Sequence, residues 1–454
     1  MSSTAKRISM SSNAIIGSND RRRFAWPLLA AAVARLAMIP FAHVSNPWLW
    51  EYGDIARNMI AGRGYSFTWY FAEPPLNAPS ALMPPGETFL QYSFLKILGD
   101  GTAAYLSIFL IQVLCGVAFV FVIGAFVDRL FESERLKLIA MWSAALFPSF
   151  VYATATFGVA SEILLLNALL MLAAFDLYRS LIARRGAVRS AFLLGISAGI
   201  LGFFRSEAPL PVFVLLVLFV IAKEIAVRER LRAALIVGAT FIAIMAPWSI
   251  RNYTVFHTFI PGSTTGGFNL WKGNHALATG SASNEEGQEY RPADSVWSQM
   301  AGMGSPEMFE LHFSRVLTIS AIDWIKAEPA KAAILACKKA AMIWTFDWYN
   351  KLSSSFAYAA LSVGTIVLGF LGLLQYRNQR ARLKFGFRLI AAFSVVYTLL
   401  AMVFFVVPRY QIFLVGVYWP FVVLGIDAVL ARFRTKQRVM NPVGAHAQVA
   451  ELST

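Results

Sequence analysis

Cysteine and histidine are nearly absent from this chain. Two cysteines among 454 residues, Cys115 inside an apolar run and Cys337 in a lysine-bearing segment, allow no disulfide framework. Five scattered histidines supply no zinc cage, and residues 276–331 carry no nucleotide-binding glycine pattern, zinc-ligand spacing or serine-nucleophile motif. Charge is scarce at 14%, and acids are scarcer than bases, with 25 Asp and Glu against 40 Lys and Arg. The resulting net charge of +15 does not indicate nucleic acid. The bases lie in short tracts beside hydrophobic runs, where membrane topology accounts for them.

What is abundant is apolar: 57% of the residues are hydrophobic, bunched into runs near bilayer-spanning length. Helices apolar on every face must be enclosed by protein or lipid, so the expectation is an all-α polytopic membrane protein. The runs fall near 24–42, 103–127, 138–153, 159–178, 190–204, 208–223, 233–249, 354–375, 389–407 and 411–430, about ten transmembrane helices. The fifth and sixth are short enough to be a broken or re-entrant pair. The tract "RRR" precedes the first run with no small-residue cleavage site, which reads as an uncleaved first helix.

Most of the lysines and arginines fall in alternate connections, including "RSLIARRGAVR", "KEIAVRERLR" and "YRNQRARLKFGFR". Positive charge is retained on the cytoplasmic side, so both termini are expected there. The chain divides into a cytoplasmic tail 1–23, a transmembrane domain 24–430 and a cytoplasmic tail 431–454. Two long connections, 43–102 and 250–353, then form a small region on the outer face, the periplasmic side of a bacterial inner membrane.

The first outer connection holds "WLWEYGDIARNMIAGRGYSF", residues 48–67. On a helix over 48–61 the apolar residues share one side, while Glu51, Asp54 and Asn58 follow at three and four residues on the other. Such a helix lies on the membrane surface with its carboxylates toward water. For Asp54 a second reading stands, a pair with Arg57 or Asn58. After a proline-rich stretch an amphipathic pattern resumes over 86–98 and predicts a second interfacial helix.

The second outer connection opens on "APWSIRNYTVFHTFIPGSTTGGFNLWKGNH", residues 246–275. Arg251 there is a forked, permanently charged donor suited to phosphate, or alternatively an arginine snorkelling at a helix end. Further charges sit in or beside apolar runs: Glu162, the Arg205 and Glu207 pair, and Arg409. Insertion of an ionisable group at mid-helix costs about 2.5 to 3.5 kcal/mol, so such groups face a cavity or a partner. Arg205 with Glu207 also reads as a mutual ion pair, Arg409 as an interface anchor, and Arg35 as a helix-packing partner. Lys272, Lys338 and Lys339 are candidate headgroup contacts.

The stretch "EYGDIARNMIAGRGYSF" followed by "AP" and "PPG", with Pro-Trp-x-x-Arg-Asn and the later Gly-Gly and Gly-Asn, resembles bacterial membrane glycosyltransferases of the GT-C superfamily. The branch in question includes dolichyl-phosphate-mannose protein mannosyltransferases, the lipid A aminoarabinose transferase and lipopolysaccharide galacturonosyltransferases. The resemblance implies Glu51 as the catalytic base or acceptor-orienting acid, with Asp54 as a second candidate. The family's adjacent Asp-Glu pair is absent here, since Trp50 precedes Glu51 and the next acid is Asp54. It further implies donor-phosphate contacts from Arg251, Arg205, Arg409 and Lys272, and a cavity lined by Asn58, Glu162, Glu207, Asn252 and Tyr410. The implied activity is inverting transfer of a hexosyl or pentosyl unit from a polyprenyl-phosphate sugar, delivered through membrane lipid, to an envelope glycan, lipid or protein. No cofactor is implied and a divalent metal is left unassigned. Two other readings stay open: a flippase or exporter of a lipid-linked sugar, and an oligosaccharide polymerase or ligase.

Overall fold

The structure is a computed structural model that describes residues 18–70, 75–292, 296, 300, 308–376 and 384–440. Most of the two expected cytoplasmic tails, and residues 377–383 of the basic connection before the ninth apolar run, lie outside these residues. Among the described residues the chain forms sixteen α-helices and one two-stranded hairpin. Helix α1 (Ser18–Leu36) leads into the first outer stretch, made of α2 (Trp50–Ile60), β1 (Ser66–Trp69), β2 (Leu76–Pro79) and α3 (Pro85–Leu98). Then follow α4 (Thr102–Phe131), α5 (Glu134–Leu146), α6 (Pro148–Tyr152), α7 (Ala160–Ile182), α8 (Ala187–Phe204), α9 (Pro209–Val220) and α10 (Val227–Phe256). The second outer stretch holds α11 (Gly266–Gly273), α12 (Phe309–Ala327) and α13 (Pro329–Trp344), before α14 (Phe356–Tyr376), α15 (Lys384–Val403) and α16 (Pro408–Met440).

Every expected apolar run is a helix, and eight are long and apolar enough to cross a membrane. The break falls at the third run rather than at the fifth and sixth. Phe147, placed before Pro148, is extended, as a residue preceding proline prefers, and Glu134–Leu146 meets Pro148–Ala155 at 56°. Counting that pair as one span gives nine. The sixth run forms only the 12-residue α9, which starts at Pro209 and is shorter than a span.

The membrane core is aromatic and close-packed. Phe119 and Phe126 of α4, Phe150 of α6, Phe385 and Phe393 of α15 and Trp419 of α16 are fully buried together. Helices α14 and α16 meet backbone to backbone. A Cβ on Gly372 would lie 1.8 Å from the Phe421 carbonyl oxygen, and one on Gly425 2.0 Å from that of Leu368. Small residues permit this approach where lipid offers no hydrophobic drive between helices.

The two outer stretches share one core. Phe309 and Phe313 of α12 each lie with ring centroid 5.2 Å from that of Trp69 in the hairpin, with Trp271 of α11 in the same cluster. Buried Glu310 fastens the joint: its carboxylate accepts from Ser80 Oγ at 2.6 Å, from the Ala81 N–H at 2.8 Å and from the Thr264 hydroxyl. Burial raises the Glu310 pKa, and these three hydrogen bonds oppose the rise. The hairpin runs through the stretch whose prolines argued against regular structure, with Ser66 opposite Pro79 and Trp69 opposite Leu76. Pro79 ends an edge strand, a place where its missing N–H costs no ladder bond.

Candidate functional site

Three chain segments far apart in sequence bring their charges to one place at the end of the bundle opposite the α7 C-terminus. The first turn of α2 supplies Trp50, Glu51 and Tyr52, the turn after α8 supplies Arg205 and Glu207, and the start of α16 supplies Arg409 and Tyr410. The Arg409 guanidinium lies 5.4 Å from the Trp50 ring centroid and 5.6 Å from that of Tyr410. Arg205 lies 5.0 Å from the Tyr410 centroid and 5.6 Å from that of Phe413. The Tyr410 ring therefore lies within cation–π reach of two guanidinium groups, each attracted by the aromatic quadrupole.

Tyr52 sits at the meeting point. Burial holds its phenol well above the ordinary range; Arg205 and Arg409 pull it down, while Glu87 and Glu51 push it up. One half-buried tyrosine thus feels two acids and two arginines from four different elements. Of these groups Arg205 is already neutralised, since Nε donates to Glu207 Oε1 at 2.6 Å and Nη2 donates to the same oxygen. Arg409 makes no hydrogen bond or ion pair among the described residues, and neither does the half-buried Glu51 carboxylate.

Behind the pocket is a buried acid layer that the sequence reading identified only in part. Glu162, in the first turn of α7, is buried with neither carboxylate oxygen partnered among the described residues. Its charge interacts with that of Glu87 on α3, which accepts from Gln91 Nε2 at 2.8 Å. Burial pushes the Glu87 carboxyl up to about 7, with the Gln91 hydrogen bond opposing. Glu87 was not among the expected site residues. Its signal was an acid four residues before a glutamine on an otherwise apolar interfacial helix.

The remaining candidates are spent on holding the outer region together. Asp54 accepts from the Thr68 N–H at 2.9 Å, Tyr70 Oη at 3.0 Å and Asn58 Nδ2 at 3.3 Å. Asn58 also donates to the Ser66 carbonyl at 2.9 Å and accepts from Arg63 Nη2 at 2.5 Å, so both side chains bind α2 to the hairpin. Arg251 donates to the carbonyls of Ser80 at 2.6 Å and Tyr65 at 2.9 Å and to Asn252 Oδ1 at 3.0 Å. None of its hydrogen bonds reaches Glu51, Arg205 or Arg409. Asn252 donates to the Ile260 carbonyl at 2.9 Å. Lys272 is ion-paired with Glu289 and lies 5.1 Å from the Phe268 ring centroid.

No protein-family model matches this sequence, and no curated protein does. Among solved structures, the oligosaccharyltransferase AglB from Archaeoglobus fulgidus, in complex with an inhibitory peptide and a dolichol-phosphate, is similar with a TM-score of 0.56 at 13% identity. The likeness covers 94% of this chain and 53% of AglB. The same enzyme tethered with an acceptor peptide containing the NVT sequon gives 0.56 and 13% over 93% and 51%. This chain shares its fold with the membrane part of that oligosaccharyltransferase. It spans about half the length of AglB. ArnT from Cupriavidus metallidurans bound to undecaprenyl phosphate is 15% identical over 89% of this chain and 78% of ArnT, with a TM-score of 0.39. In this fold the unpartnered acid Glu51 and the unpartnered guanidinium of Arg409 both act on Tyr52.

Proposed function

We propose that the protein transfers a sugar from a polyprenyl-phosphate donor to an acceptor at the outer face of a bacterial inner membrane, with inversion at the anomeric carbon. The observation that carries this reading is the charge cluster around Tyr52, where Glu51 and Arg409 are both unpartnered among the described residues. Glu51 is half-buried and Arg409 exposed, so both present their charge to an incoming ligand without first breaking an ion pair. The AglB structure of the same fold holds a dolichol-phosphate.

The acceptor hydroxyl gives its proton to the Glu51 carboxylate as its oxygen attacks the anomeric carbon. The bond from that carbon to the donor phosphate oxygen breaks on the opposite side, and the electron pair leaves with the phosphate. Negative charge grows on that phosphate, where the forked N–H donors of Arg409 stabilise it, with the Arg205 and Glu207 pair behind. The products are a glycosidic bond of opposite configuration and a free polyprenyl phosphate. General-base help of this kind supplies about a hundred to ten thousand fold. The transferred unit is a hexose or pentose, and the acceptor an envelope glycan, lipid or protein. The membrane domain 24–430 with its outer connections 43–102 and 250–353 carries the reaction.

Purified protein is incubated with polyprenyl-phosphate sugars and acceptors, and lipid and acceptor are read by mass spectrometry. The expected result is an acceptor heavier by one sugar and a matching polyprenyl phosphate, with Glu51→Gln at least a hundredfold slower on hydroxyl acceptors. Intact lipid-linked sugar that crosses a proteoliposome bilayer without bond cleavage replaces this reading with a flippase.

A further inference from the structure

Trp50 stands in a backbone conformation that a bulky side chain adopts only where its surroundings impose it. Its φ is 57°, in the left-handed region, at the first position of α2. Two features impose that turn. Leu49 is buried, and Gly53 lies beneath it so closely that a Cβ there would come 2.4 Å from the Leu49 Cβ. The indole is then fixed on two sides, its Nε1 donating to the Thr156 carbonyl at 2.9 Å and its ring meeting Trp48 edge-on at 5.9 Å.

Held in this way, the ring carries the Arg409 guanidinium 5.4 Å from its centroid. A carboxylate partner would neutralise the cation and consume its N–H donors, as Glu207 does for Arg205. An aromatic face orients the cation and leaves those donors free. We propose that Trp50 is a positioning residue whose strained turn holds Arg409 at the pocket mouth with its donors open toward the phosphate of a lipid-linked donor. The same turn sets the first helical residue after it, Glu51, so one local conformation fixes both the acid and the cation. This rests on the donor reading above and adds to it the residue that makes the anion site.

The test measures affinity of the purified full chain in nanodiscs for a short polyprenyl phosphate and for the matching polyprenol. Trp50→Leu is expected to weaken the phosphate-bearing lipid about two- to fivefold, the scale of a solvent-exposed cation–π contact, and to leave the polyprenol unchanged. Trp50→Phe recovers part of the loss. In an Arg409→Ala background Trp50→Leu has no further effect, because the tryptophan acts through the arginine. Additive losses, or equal losses for both lipids, overturn the proposal. Should Trp50→Leu not fold, Trp50→Phe carries the test, through a smaller phosphate-selective loss that vanishes with Arg409→Ala; unchanged affinity overturns it. A wild-type protein indifferent to the phosphate sinks the donor reading and this inference together, whereas a phosphate preference indifferent to position 50 sinks this inference alone.

Discussion

Arg205, Arg251, Arg409 and Lys272 were the four expected phosphate ligands, and what separates them is how many N–H donors each has already given away. Arg251 was the leading phosphate ligand from its place beside a helix mouth, a place visible in the sequence. Invisible there were the carbonyls of Ser80 and Tyr65, 171 and 186 residues away, which fold onto its guanidinium. Arg251→Ala is therefore expected to leave the Ser80 carbonyl without its donor, while the Tyr65 carbonyl keeps the Ser80 N–H at 3.0 Å, and to lower stability by about 1 to 3 kcal/mol, seen as earlier melting in detergent. Arg409→Ala has no such bonds to break. Its melting is expected to stay near wild type while binding of a polyprenyl phosphate falls about tenfold or more. The opposite pattern, with Arg251 setting affinity and Arg409 setting stability, exchanges their roles.

Glu87 gives a second test at the same scale. Its carboxyl titrates near 7 in the folded protein against an ordinary value of 4.5, because burial disfavours the charged form. Between those values the folded state binds the proton more tightly than the unfolded one. Stability from this group is present below 4.5 and is lost as pH rises through 7. Glu87→Gln mimics the neutral acid and keeps a partner for Gln91. Melting temperatures from pH 5 to 8 are expected to fall with rising pH for wild type and to fall less for the variant. An identical slope in both removes Glu87 as the source.

At the scale of elements, what the sequence made legible was what depends on periodicity alone. Helices α2 and α3 appear within two residues of their expected bounds at each end, because an apolar stripe at three- and four-residue spacing fixes a helix against any apolar surface. The hairpin was hidden behind its prolines, and α12 and α13 carried no motif, because their core is built from partners in the other long connection, Trp69 against Phe309 and Phe313. Tertiary pairing of that kind leaves no local pattern. Glycine within α2 was the one local sign of the strained first turn. Gly53→Ala would drive a methyl to 2.4 Å from the Leu49 Cβ and force the turn at Trp50 to open. The expected cost is about 1 to 3 kcal/mol, measured by thermal unfolding, together with weaker phosphate-lipid binding as Arg409 loses its ring. Wild-type stability and binding in Gly53→Ala would mean that Gly53 does not impose the turn.

For the whole molecule, one helix measures the distance between chemistry and anchoring. Helix α7 carries buried Glu162 in its first turn and ends at Ile182 beside Arg179, Arg184 and Arg185. At 1.5 Å per residue its 23 residues separate those ends by about 34 Å, close to one hydrocarbon thickness. Arg129, at the end of α4, joins the same basic end through its ion pair with Asp176. Retention of arginine on the cytoplasmic side is the argument for the proposal that the cluster around Tyr52 faces outward, where nucleotide sugars are absent and a lipid would carry the activated sugar. Both free cysteines, Cys115 and Cys337, are replaced by serine, and single cysteines are introduced at exposed Leu277 or Arg184. Leu277 lies on the pocket side, because neighbouring Asn274 donates to the Val403 carbonyl at the end of α15 just before Arg409. A membrane-impermeant maleimide added to intact spheroplasts is expected to label position 277, and to label position 184 only after lysis. The reverse pattern turns the pocket toward the cytoplasm, and the need for a polyprenyl carrier disappears with it.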